Sequence, residues 1–332
     1  MFNFATSPLL ARHTPGERVF RLLFDFIVVW AIAIFSSFLV GFVPGVAATV
    51  ILGVNGFLSL FDAALSSGMS GGAGTVDSTA VAQLTEQIAQ SDGYRIAELF
   101  GEAWIVAVAL FVCLAVQRRS LSTMGIERKD AAKRYGIGLL FGVVLCSGTI
   151  LISCLTRAST FNGYSGSVRY LFLVFLFVGY VIQGAAEEIL IHGLFMTSLA
   201  RKMRWLPSVL VSALIFSLLH LGNSGVTLLS LFNVFLFGVF LGLFVLRTGS
   251  VFGAAALHTA WNFTEGYLFG CSVSGITSSA GVFSVTADAT RSMTNGGAFG
   301  PEGGLAATMI LMLALIAVLF FPSFRKKTDP AD

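Results

Sequence analysis

Eight stretches of this chain, at 22–43, 99–117, 135–156, 170–200, 205–221, 225–246, 250–270 and 303–321, run almost free of charge for the length of a bilayer-crossing helix. A hydrocarbon layer about 30 Å thick takes about 20 helical residues to cross. Backbone N–H and C=O groups in lipid must be satisfied within the segment, so helices are the available solution for runs of this length. The pattern predicts an all-α, polytopic integral membrane protein with about eight transmembrane helices. The composition agrees: 56% of the 332 residues are hydrophobic and 11% are charged, where a soluble domain carries about 25% charged residues. The net charge of +3 is small and its basic residues sit in short clusters beside apolar runs, which gives no basis for nucleic-acid binding. Cys113, Cys146, Cys154 and Cys271 show no C-x-x-C spacing and read as small packing residues, not as a disulfide framework or metal site.

The basic clusters set the expected topology. Arg12, Arg18 and Arg21 precede the first span; Arg118, Arg119, Arg128, Lys129, Lys133 and Arg134 follow the second. Arg201, Lys202 and Arg204 follow the fourth, Arg247 the sixth, and Arg325, Lys326 and Lys327 the eighth. With eight spans and both termini cytoplasmic, every cluster lies inside, as the positive-inside rule requires. The weaker apolar stretch 44–62, interrupted by Pro44, Gly45, Gly53 and Gly56, would break that rule if it crossed, and reads as re-entrant or interfacial. The expected organisation is a cytoplasmic tail (1–21), a two-helix hairpin (22–133) with an outer insert (44–98), and a membrane core (134–270). A Gly/Ser/Thr-rich outer loop (271–302) and a last helix with its tail (303–332) follow. The two outer segments, 63–98 and 271–302, read as flexible connectors. The first span is too long for a signal-peptide core and reads as an anchor, with the cell membrane as the expected location.

Against this apolar background three spans carry ionisable groups, each costly to place in lipid and therefore a mark of function. Gln183, Glu187, Glu188 and His192 lie on 170–200, His220 on 205–221, and His258, Asn262 and Glu265 on 250–270. Counted from the cytoplasmic basic markers, Glu187 is 14 residues from Arg201 and His220 is 16 from Arg204. His258 and Asn262 are 11 and 15 from Arg247. At 1.5 Å per residue these depths agree to within about 8 Å, so one mid-membrane cluster is possible. His258 and Asn262, and likewise Glu188 and His192, are four apart and share a helix face. Gly184, Ala185, Ala186 and Gly193 leave room for close helix approach. Glu265, nearer the outer surface, reads as a helix-packing residue.

A buried carboxylate beside a histidine suits general-base activation of water. A second histidine with an asparagine amide suits stabilisation of an oxyanion. The candidate catalytic set is Glu187, Glu188, His220, His258 and Asn262, with His192 in support. Glu187, His220 and His258 would also be the ligands if one divalent metal such as Zn2+ were used. Spacing alone does not separate metal-assisted from metal-free chemistry, and the helical zinc-protease signature H-E-x-x-H is absent.

The string Glu187-Glu188-Ile189-Leu190-Ile191-His192 resembles the first motif of the CPBP family of CAAX-protease and bacteriocin-processing membrane enzymes, E-E-x-x-x-R. Phe216 to His220 resembles its F-x-x-x-H motif, and His258 to Asn262 its H-x-x-x-N motif. The resemblance covers roughly 134–270. It implies an eight-helix endopeptidase acting on membrane-associated or hydrophobic peptides. Glu187 would be the base, His220 its partner on the water, His258 and Asn262 the oxyanion site, and Glu188 a supporting carboxylate. The family is labelled metalloprotease, although a metal-free glutamate mechanism is also held for it. His192 departs from the motif's arginine. Rival readings are a proton-coupled transporter, which calls for inverted repeats that the sequence lacks, and a catalytically silent immunity or scaffolding protein.

Overall fold

A computed structural model describes residues 92–320 apart from 167 and 278–280, together with six helical positions between 24 and 35. The first span lies mostly, and the 44–62 segment wholly, outside the described residues. Seven principal helices follow: α1 (Gly93–Val116), α2 (Ala131–Leu155), α3 (Tyr170–Ala200), α4 (Trp205–Leu219), α5 (Leu228–Thr248), α6 (Val251–Phe263) and α7 (Leu305–Phe320). Strands β1 (Ser159–Tyr164) and β2 (Phe283–Ala287) pair antiparallel outside this bundle. By length and composition α1, α2, α3 and α5 can each cross a membrane, while α4 and α7 are shorter apolar helices. Of the expected count of about eight spans, four candidates lie among the described residues. Leu140, Leu151, Leu155, Leu171 and Leu313 stay exposed on the outside of the bundle, where lipid is the medium that suits them.

Small residues decide how the helices meet. A methyl group at Gly138 or Gly142 of α2 would strike the carbonyl oxygens of Gly253 and Leu257 on α6. A methyl at Gly184 of α3 would lie 2.6 Å from Thr259 Oγ1 on the other side of the same helix. Glycines on both neighbours, with Ala254, Ala255, Ala256 and Ala260 on α6 itself, let α6 sit backbone-close between α2 and α3. That is how helices gain packing where lipid supplies no hydrophobic drive. Thr259 Oγ1 donates to the Tyr180 carbonyl at 3.0 Å and ties α6 to α3.

α1 is fixed against α3 near both of its ends. Arg119, just past its end, donates to Ser198 Oγ (2.8 Å) and Thr197 Oγ1 (2.6 Å). At the other end Arg95 pairs with Glu98 at 2.6 Å and lies over the Tyr180 ring. Residues 92–98, expected within an outer connector, are instead the first turns of α1. Arg95 and Glu98 share a face at i,i+3, and fully buried Leu99 packs on Gly179.

Segment 271–302, also expected as an outer connector, is ordered by pairing. β2 closes on β1, and Asn295 Nδ2 donates to the Ala158 carbonyl at 2.6 Å. Glu302 accepts the Ser274 N–H (2.7 Å) and hydroxyl (2.5 Å) and the Trp261 indole N–H (3.2 Å). Glu265, on the wide turn that prolongs α6, accepts the Glu302 N–H at 3.0 Å. These side-chain bonds carry no periodic signature, so a string rich in glycine and serine hides them. All four cysteines are free thiols.

Candidate active site

Four helices, α1, α3, α4 and α6, bring polar groups to one cavity. Its volume is about 300 Å3, and its wall includes Glu187, His220, His258 and Asn262, together with Arg95, Glu98, Glu102 and Gln183. Glu187 comes from the last regular turn of α3, before the helix widens over Ile189–Met196; wide turns of this kind recur at functional sites. His220 caps the C-terminus of α4, one residue beyond its last regular turn. Its Nδ1–H donates to the Phe216 carbonyl at 2.8 Å, and its ring meets the Phe216 ring edge-on at 4.9 Å. With Nδ1 committed as donor, Nε2 of the neutral ring is the acceptor. His258 and Asn262 occupy one face of α6, as their spacing requires.

Glu187 Oε2 and His258 Nε2 are 3.9 Å apart, too far for a hydrogen bond and close enough to share a third atom. Asn262 Nδ2 donates to Gln183 Oε1 at 3.1 Å, which fixes the amide's orientation toward the cavity wall.

Glu188 is placed differently from its neighbour. It is fully buried and absent from the cavity wall. Its Oε1 accepts from His258 Nδ1 at 3.0 Å, and its Oε2 lies 2.6 Å from His192 Nδ1. It therefore contacts His258 from the side away from the cavity. His192, also fully buried, stands where the motif carries arginine. Its Nε2–H donates to the Gly238 carbonyl of α5 at 3.0 Å. One proton then lies between His192 Nδ1 and Glu188 Oε2. On either atom the pair as a whole is neutral, the arrangement a dry interior tolerates best.

Among the described residues no group of three His, Cys, Asp or Glu side chains is disposed to hold an ion. His258 presents one nitrogen to Glu188, and His220 gives one to a carbonyl. No step is routed through a metal here.

Residues 169–264 match the family model for type II CAAX prenyl endopeptidases, Rce1-like. The chain carries an Rce1-like CAAX-protease domain. The matched segment runs from just before α3 to just past α6 and contains every candidate residue, narrower than the 134–270 over which the motifs suggested likeness. No curated protein and no solved structure matches the chain. The apolar helices and this likeness to an intramembrane protease family point to a membrane protein.

The sequence reading missed part of the wall of this Rce1-like site. Arg95, Glu98 and Glu102 of α1 line the same cavity. A usable signal existed: Glu102 is 16 residues from Arg118, the same depth that singled out His220. Glu265, read as a packing residue, is fully buried and anchors Glu302. Glu302 in turn lines a small recess shared with His220 and His258.

Proposed function

We propose that the protein is an intramembrane endopeptidase that hydrolyses a peptide bond of a hydrophobic or membrane-associated substrate with a water activated by Glu187. The observation that carries this reading is the cavity lined by Glu187, His220, His258 and Asn262, which unites a base, hydrogen-bond acceptors and amide donors; the serine on its wall, Ser274, donates its hydroxyl to Glu302 at 2.5 Å and has no histidine partner among the described residues. Glu187 Oε2 takes a proton from water lodged between it and the histidines. His220 Nε2, the free acceptor of its ring, steadies the second hydrogen of that water. The resulting hydroxide attacks the carbonyl carbon. The oxygen that gains charge is met by Asn262 Nδ2–H and by N–H at His258 Nε2. For His258 to donate there while its Nδ1–H is held by Glu188, the ring must carry both protons, a state favoured by the hydrogen bond to Glu188 at 3.0 Å and by Glu187 at 3.9 Å. The proton on Glu187 then passes to the departing amine.

A volume of about 300 Å3 is at the lower end for ligand sites and suits a few residues of an extended peptide. Prenylated tails and bacteriocin-type precursors are both within this substrate class. We place both termini on the cytoplasmic side of the cell membrane, because that arrangement puts every basic cluster inside. The test is cleavage of fluorogenic hydrophobic peptides by protein reconstituted in liposomes, with products identified by mass. Glu187→Gln should abolish the new termini while the protein stays folded. Equal cleavage by this variant would end the assignment.

A further inference from the structure

The α1 side of the cavity holds an acid with one unbonded carboxyl oxygen. Glu102 is nine-tenths buried and lines the cavity, and its Oε2 has no hydrogen-bond partner among the described residues. A hydrogen bond from Gln183 reaches the carboxyl group, and the charged groups that face it are Glu187, Arg95 and Glu98. Arg95 does not cancel it. Its guanidinium is engaged by Glu98 at 2.6 Å and by the Tyr180 hydroxyl at 3.5 Å. The wall thus presents three carboxyl groups against one guanidinium, and the open oxygen belongs to the acid opposite Glu187. A buried carboxylate with a vacant acceptor is poorly served by an apolar ligand. It is well served by a group that brings both N–H donors and positive charge.

Resting on the endopeptidase reading, we propose that Glu102 forms a subsite for a cationic side chain, lysine or arginine, next to the peptide bond that is cleaved. The apolar remainder of the wall, Ile105, Leu190, Ile191 and Leu219, would take the hydrophobic residues that flank it. Gln183 lines the same wall and accepts from Asn262 at 3.1 Å, so the subsite adjoins the proposed oxyanion donor.

The experiment uses full-length protein in nanodiscs and a positional set of fluorescent peptides with apolar flanks, each carrying one lysine, its neutral isostere norleucine, or glutamate. Binding is read by anisotropy in the Glu187→Gln background, so that it does not depend on turnover; cleavage is read with Glu187 intact. At one position lysine should bind about tenfold tighter than norleucine, the scale of one charge-assisted hydrogen bond. Glu102→Gln, which keeps the shape and the bond to Gln183, should remove that preference, and Glu102→Asp should keep it. No preference for lysine, a preference that survives Glu102→Gln, or one lost equally in Glu102→Asp overturns the subsite. No cleavage of any peptide by the protein with Glu187 intact, alongside an intact lysine preference in binding, would instead remove the endopeptidase reading and leave the subsite standing.

Discussion

Replacing Glu188 by glutamine separates the charge of this buried group from its hydrogen bonds. Glu188 takes two imidazole contacts, from His258 at 3.0 Å and His192 at 2.6 Å. A glutamine of the same shape can keep both. Its carbonyl accepts from His258 Nδ1–H, its amide donates to His192 Nδ1, and His192 Nε2–H still donates to Gly238. What is lost is the carboxylate. Charge-assisted bonds contribute about 1.5–3 kcal/mol and neutral ones about 0.5–1.5, so the two contacts together lose about 2–3 kcal/mol. The part felt by His258 when it must carry both protons appears in the rate, at 1.36 kcal/mol per decade. Glu188→Gln should therefore lower kcat/KM by about 10- to 100-fold and the melting temperature by a few degrees. Glu187→Gln, which removes the base itself, should cost about 100- to 10,000-fold in rate with little change in melting, because its side chain is about a quarter exposed. Initial rates in liposomes and melting of the same preparations measure both. If Glu188→Gln stays within about threefold of wild type, or if it is the more damaging of the two, the division of labour between the adjacent glutamates is wrong.

Three further outcomes are expected. His192→Arg should keep or raise activity, since a guanidinium can bond Glu188 and reach the Gly238 carbonyl together; a well-folded but inactive variant would contradict this. Gly142→Ala should destabilise the protein by about 1–3 kcal/mol, because its methyl group meets the Leu257 carbonyl oxygen; an unchanged melting temperature would refute the close approach of α2 and α6. The glutamate mechanism proposed above predicts that a membrane-permeant chelator leaves cleavage unchanged; loss of cleavage on chelation, restored by one divalent metal, would replace it with metal-assisted activation of water.

Much of this molecule is written in its local chemistry. The apolar runs settle that the chain is helical and lives in a bilayer, because no other local structure satisfies its backbone there. The intramembrane acids and histidines point to the site, because their cost in lipid has to be met by a use. Their common depth already suggested one cluster, and the cavity places Glu187, His220, His258 and Asn262 on a shared wall. Sequence spacing also paired Glu188 with His192 on one face.

Tertiary packing decided the rest. Two adjacent glutamates look alike in the string, yet about 100° of helical rotation sends one to the cavity and the other to the protein interior. Whether Arg95, Glu98 and Glu102 join the site depends on which face α1 turns to α3, and that is set by contacts 78 to 85 residues apart in sequence. Segment 271–302 owes its order to single hydrogen bonds from Glu302 and Asn295. Local patterns fix what each segment must bury; only the assembled helices fix which partner it is buried against.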